Sequence, residues 1–141
     1  MVIIQCPNCG QNNRVPADAA GVPHCGRCKT ALPWLTSATD DDFDKIATHA
    51  TLPVLVDLWA PWCGPCRIVE PGVTRAAEEL AGRLKVVKVN VDTAPRTAER
   101  FAARSIPLLV MLRNGNVVSQ QFGAIPPDQL LAFVNKALAV P

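Results

Sequence analysis

An apolar run, Pro53-Val54-Leu55-Val56-Asp57-Leu58, leads directly into Trp59-Ala60-Pro61-Trp62-Cys63-Gly64-Pro65-Cys66-Arg67. The run is short, unbroken and rich in Val and Leu, so it reads as a buried strand. Downstream, Ile68, Val69, Val73, Ala76, Ala77 and Leu80 recur at helical spacing over residues 67–80. The chain must therefore set a C-x-x-C where a strand turns into a helix. There the unpaired N–H groups and the positive end of the helix dipole both favour a thiolate. Cys66, three residues after Cys63, falls on the same helix face and within reach of it. Thiol-disulfide chemistry is the leading expectation, with Cys63 as nucleophile and Cys66 as resolving thiol. Half of a metal site is the alternative, and it lacks two ligands.

Around this unit the pattern alternates between helix and strand. Thr39 followed by Asp40, Asp41 and Asp42 reads as a helix start, with Phe43, Ile46, Ala47 and Ala50 as its apolar stripe. Pro71 should bend the helix after the dithiol, and Gly82 closes it. Residues 85–91 alternate as a strand, residues 94–103 form a short helix, and residues 108–112 form a strongly apolar strand. Asn114-Gly115 predicts a hairpin into a strand over residues 116–122, and Pro127-Asp128 opens a last helix. Alternation first and a hairpin last imply an α/β fold with a mixed sheet and helices on both faces.

Asp57 is the odd residue of its strand. A carboxylate among Val, Leu and Trp is costly to bury in charged form, so burial would raise its pKa. An edge position facing water is the alternative, although its neighbours on both parities are apolar.

The other four cysteines lie in the first 34 residues, as Cys6-Pro7-Asn8-Cys9 and Cys25-Gly26-Arg27-Cys28. Fifteen residues separate the pairs, at the edge of the window for a four-cysteine zinc site. A piece this small falls below the roughly 40 residues at which an apolar core suffices unaided. Zinc held by Cys6, Cys9, Cys25 and Cys28 would supply the missing stability, and a closed four-thiolate site is structural rather than catalytic. Two structural disulfides or a redox pair are the alternatives. His24 reads as a loop residue, because four cysteines already fill a tetrahedron. Leu32 and Trp34 either pack this module onto the next domain or begin that domain's first strand. We divide the 141 residues into a zinc-binding module at 1–34 and a second unit at 35–141.

Composition closes off other classes. With 49% hydrophobic and 18% charged residues the chain can build a core and is not disordered. The net charge of +2 comes from well-mixed signs, with no basic stripe, so no nucleic-acid partner is expected. No run is long enough to span a bilayer, and residues 1–6 lack the basic and apolar regions of a signal peptide. Three C-x-x-C pairs without an export signal point to a reducing compartment, the cytoplasm.

Trp59-Ala60-x-Trp62-Cys63-Gly64-Pro65-Cys66, with Val56-Asp57 before it and Ile106-Pro107 after it, resembles the thioredoxin family over residues 35–141. With the two cysteine knuckles, the chain is most similar to the bacterial thioredoxin 2 branch, which carries an N-terminal zinc-binding extension. The resemblance implies a thioredoxin fold joined to a small zinc-ribbon-like module. It implies that Asp57 lies beneath the cysteines and takes the proton of Cys66, with Lys88 near that acid. Pro107 would be cis and face the dithiol, leaving backbone at Ser105 and Ile106 to pair with an extended substrate. Trp59 and Trp62 would flank the centre, Gly123 would leave room for a docking chain, and Gly64-Pro65 would go with reducing behaviour. Arg67, Ser105 and Leu108 depart from common family residues, which bears on target preference rather than on the reaction.

The implied activity is cytosolic protein-disulfide reduction. The dithiol would be recharged by a thioredoxin reductase that uses NADPH, and the chain itself, a monomer, would hold no organic cofactor. An oxidase or isomerase, and a zinc-dependent redox-sensing or chaperone-like binding protein, are the competing readings.

Overall fold

The computed structural model of the chain describes residues 1–140; Pro141, the last residue of the expected second unit, lies outside them. Two strands, β1 (Val2–Gln5) and β2 (Asn12–Val15), form an antiparallel hairpin at the N-terminus. The first knuckle is the turn of this hairpin, and the second is a turn framed by an isolated bridge between His24 and Ala31. Both knuckles close in the same way. The N–H of Gly10 donates to the Cys6 carbonyl and that of Lys29 to the Cys25 carbonyl, each at 2.9 Å. Both closing residues have positive φ, +80° at Gly10 and +68° at Lys29. That region suits glycine and is strained for lysine.

The larger sheet has the order β3 (Trp34–Ser37), β5 (Lys85–Asn90), β4 (Val54–Trp59), β6 (Leu108–Arg113), β7 (Asn116–Phe122). The pairs β3–β5 and β4–β5 are parallel, whereas β4–β6 and β6–β7 are antiparallel. Strand alternation separates two cores. Val54, Val56 and Leu58 join Val87, Val89, Val110 and Leu112 under Phe43, Ile46 and Phe101. Leu55, Val86, Leu109 and Met111 face helices α1 (Gly64–Glu79) and α3 (Pro127–Leu138). Asp57 shares the parity of Leu55, so the strand aims it at the α1 side.

Trp34 serves both parts. It opens β3, and its buried ring packs with Ile4, Cys6, Val15, Cys25 and Leu32. Lys85, at the start of β5, is only 1% exposed. Its Nζ donates to the carbonyls of Ala17 and Ile46, each at 2.6 Å, and sits 4.1 Å above the Trp34 ring. Two carbonyls and a ring face compensate a buried cation, and burial still pushes Lys85 down to about 8.

Two expected elements are altered. The helix expected from Thr39 is reduced to turns and one π-helical turn, Asp44–Thr48, closed by His49 N–H to the Asp44 carbonyl at 2.9 Å. The aspartates divide their work. Asp42 accepts from the Thr39 N–H at 2.7 Å, while Asp40 accepts from the N–H groups of Arg96 and Thr97 at 3.1 and 2.7 Å. Asp40 thus caps the distant helix α2 (Pro95–Arg100), which has no side-chain cap of its own and is shorter than the expected 94–103. Burial raises the Asp40 pKa, but a bond from the Thr97 hydroxyl at 2.7 Å, these two N–H bonds and the Arg96 charge outweigh it and hold Asp40 below the ordinary carboxylate range.

Pro71 removes one donor from α1, yet the helix runs continuously through it. The neighbouring Gly72 matters more. A Cβ there would lie 3.2 Å from both Leu130 Cδ1 and the Pro127 Cα, so glycine sets the close approach of α1 to α3. The Asn114-Gly115 turn forms as expected, with φ of +53° and +79° suited to a tight hairpin.

Candidate functional site

Cys63 is the N-cap of α1, and Gly64 and Pro65 are its first helical residues. Proline is favoured there because its missing N–H would have had no helical partner. The Cys66 N–H donates to Cys63 Sγ at 3.2 Å, as an N-cap acceptor requires. Cys63 and Cys66 are joined by a disulfide, with Cα atoms 5.3 Å apart. Both sulfurs are buried in a small apolar cluster with Ala60, Trp59, Val91 and Ile106.

The surroundings of the two sulfurs differ. Cys63 Sγ lies 3.8 Å from the Ile106 carbonyl oxygen, and the Ile106–Pro107 peptide is cis. The Gly123 N–H donates to the Pro107 carbonyl at 2.9 Å, which brings the end of β7 beside the same loop. Gly123 has φ +84°, and a Cβ there would meet no atom within 4 Å. Trp62 is 70% exposed and donates its Nε1–H to Asp92, 3.1 Å from Oδ2. Asp92 is a partner that sequence reasoning missed. It is contributed by the turn after β5, and only the fold brings that turn to the dithiol.

Cys66 faces the other way. It lines a cavity of about 200 Å³ together with Asp57, Trp59, Ala60, Pro61, Arg67, Glu70 and Lys88. Asp57 is 1% exposed, and its Oδ1 has no hydrogen-bond partner among the described residues. Burial pushes its pKa up to about 6, against the nearby Lys88 ammonium, which lowers it; Glu70 adds to the rise. Lys88 is Asp57's register neighbour on β5. Its ammonium pairs with the Glu70 carboxylate and lies 4.9 Å from the centre of the Trp59 ring. Arg67, also on the cavity lining, donates to the Pro61 carbonyl at 2.9 Å. Asp57, Lys88, Trp59 and Cys66 thus converge, and the edge alternative for Asp57 is excluded by its burial.

The remaining cysteines form a second centre. The Sγ atoms of Cys6, Cys9, Cys25 and Cys28 all lie within 4.8 Å of one another. The Cys6–Cys28 and Cys9–Cys25 sulfurs are 3.5 Å apart, and all four thiols are free. Four sulfurs about 2.3 Å from a tetrahedral ion would be about 3.8 Å from one another, so the donor set and its spacing fit a four-thiolate metal site. The Thr30 hydroxyl and N–H and the Asn8 amide hold Cys28 down at about 5. Cys9 is pushed up to about 11: a Gln11 N–H bond lowers it, and burial and the adjoining sulfurs outweigh that bond. His24 is not part of the cluster. This cluster can hold a metal ion.

Comparison with known proteins agrees with this arrangement. A family model described as Thioredoxin matches residues 34–136. Thioredoxin from Haemophilus influenzae is 45% identical over 97 residues, covering 69% of this chain and 91% of the relative. Thioredoxin from Pyropia yezoensis is 43% identical over 105 residues, covering 74% and 98%. Thioredoxin C-2 from Corynebacterium nephridii is 41% identical over 102 residues, covering 72% and 94%. The family match begins at Trp34 and leaves the four-cysteine module outside it. No helix among the described residues is long and apolar enough to cross a membrane. The cysteine pair capping α1, the mixed sheet that carries it and these relatives together show that the chain belongs to the thioredoxin family.

Proposed function

We propose that the chain is a protein-disulfide reductase in which Cys63 attacks the target and Cys66 resolves the complex. The observation that carries this division is the placement of the two sulfurs. Cys63 caps the helix beside the Ile106 carbonyl, whereas Cys66 lines a cavity with the buried Asp57, whose Oδ1 has no partner among the described residues. In the reduced protein, the Cys63 thiolate attacks one sulfur of a target disulfide. Its other sulfur leaves, taking a proton, and a mixed disulfide forms. Asp57 then accepts the proton of Cys66, and the Cys66 thiolate attacks Cys63 Sγ. The bond between Cys63 and the target breaks, the second target sulfur leaves and is protonated, and the Cys63–Cys66 disulfide remains. Two electrons have passed to the target.

Trp62, Ile106, Pro107 and Gly123 frame the approach to Cys63, with Trp59, Gly64 and Pro65 fixing the turn and Lys88 beside the acid. Recharging falls to a thioredoxin reductase that draws on NADPH, so this chain needs no organic cofactor of its own. The protein acts as a cytoplasmic monomer on disulfide-containing proteins. The module at 1–34 holds one structural Zn2+ through Cys6, Cys9, Cys25 and Cys28, and the unit at 35–141 carries the chemistry. The test is NADPH-coupled reduction of a protein disulfide in the presence of a thioredoxin reductase. Wild-type chain should turn over and Cys63→Ser should fall to background; turnover by Cys63→Ser at the wild-type rate overturns the reading.

A further inference from the structure

Glu70 stands one helical turn beyond Cys66 on α1, so it lies on the helix face that covers the cavity. Its carboxylate takes the Lys88 ammonium in an ion pair, and the Lys88 side chain is 14% exposed. Asp57 sits directly across from Lys88 in the sheet, yet no bond joins them and Asp57 Oδ1 is unpartnered. Left to itself, a cation so close to a buried carboxylate would pair with it and hold it ionised.

We propose that Glu70 is a positioning residue for the resolving half-reaction. By holding Lys88 at the rim of the cavity, it leaves Asp57 free to take the Cys66 proton. This rests on the reading of Asp57 as the base for Cys66. The groups facing Asp57 are few. They are Lys88 from β5, Cys66, Arg67 and Glu70 from α1, and the apolar Leu109 from β6. The charges that act on Asp57 are one cation, Lys88, and one anion, Glu70, in contact with each other. Seen from Asp57, burial dominates, Lys88 pulls the other way, and Glu70 offsets part of that pull. Removing the Glu70 charge exposes Asp57 to an uncompensated ammonium, which lowers its pKa and weakens it as a base at neutral pH. Removing the Lys88 charge does the opposite. Glu70 is half-exposed, so solvent screens its charge and the change is moderate, on the order of one pH unit.

The test follows the Asp57 carboxyl by carbon NMR in full-length, metal-loaded protein with the Cys63–Cys66 disulfide formed, where neither catalytic thiol titrates. Glu70→Gln should move the midpoint down by about one pH unit, and Lys88→Met should move it up. The acid limb of the single-turnover rate for resolving a Cys63 mixed disulfide should follow the same two directions. In an Asp57→Asn background Glu70→Gln should have no further effect on that limb. An unmoved midpoint in Glu70→Gln, or a shift of both variants in one direction, overturns the proposal. An equal effect of Glu70→Gln with and without Asp57 overturns it as well. Failure of the base reading shows separately, as an Asp57→Asn protein that resolves at the wild-type rate.

Discussion

Cys63-x-x-Cys66 and the two upstream C-x-x-C pairs share a spacing and differ in what surrounds them. Cys63 caps a 16-residue helix, with its partner in the first turn and a buried acid in the same cavity. Cys6 and Cys9 sit on a hairpin turn, Cys25 and Cys28 on a second turn, and the fold faces the two turns so that four sulfurs meet. The first pair is closed on itself as a disulfide, whereas the other four thiols lie close and unjoined. Two cysteines three apart can always approach each other. Whether they cycle between thiol and disulfide, or are fixed on an ion, depends on the third and fourth ligands and on a proton partner.

The same substitution made in both places gives the largest contrast. Cys63→Ser should abolish disulfide reduction while leaving the metal content of the chain unchanged. Cys25→Ser removes a fully buried thiol of the four-cysteine cluster and, on the proposed reading, should release the metal and unfold the hairpin, because apparent zinc-linked folding energies are about 10–16 kcal/mol. Metal content and amide exchange over residues 2–15 report the second outcome. Loss of reduction to background in both variants would break the comparison by tying catalysis to the module.

A middle-sized effect sharpens the catalytic side. Asp57 binds its proton more tightly when folded, so its contribution to stability is complete below pH about 4 and is lost as pH rises through about 6. At pH 7 the buried charge therefore works against folding. Asp57→Asn should raise stability there by up to about 3 kcal/mol, and the gain should vanish near pH 4. Resolution should meanwhile slow by about 10²-fold or more if general-base catalysis is lost. Denaturant unfolding at pH 4 and pH 7, with single-turnover rates beside it, checks both halves.

The smallest effect concerns the two knuckles themselves. Gly10 and Lys29 occupy equivalent closing positions with positive φ, but only glycine adopts that region without strain. Lys29→Gly gives up one bond from Nζ to the Gly26 carbonyl and should still slow metal loss to a chelator, by a margin worth at most about 1 kcal/mol. No change in the rate of metal loss would mean that the backbone at Lys29 does not limit the site.

Much of the catalytic centre was legible because it is local. A buried strand, a C-x-x-C and a helix are contiguous, and Asp57 is conspicuous among apolar neighbours on both parities. The zinc-like tetrad was legible too, since its spacing and the shortage of apolar residues in the first 34 point the same way. Long-range pairing left little trace. Asp40 reads as the start of its own helix and instead caps α2. Trp62 finds Asp92 thirty residues on. The β1–β2 hairpin is carried by Val2, Ile3 and Ile4, too short a run for periodicity to classify.

By itself, then, the sequence determined where the dithiol stands, which residues can hold a metal and that the fold alternates strand and helix. These features arise from periodicity, spacing and turn chemistry, which act over a few residues. Tertiary structure alone decided that Lys85 is buried as a bridge between the Ala17 and Ile46 carbonyls under Trp34. It alone decided that Glu70 rather than Asp57 holds Lys88. A lysine or glutamate looks the same in sequence whether solvated or paired, and its role is set by which distant groups the packed sheet and helices bring within a few ångströms.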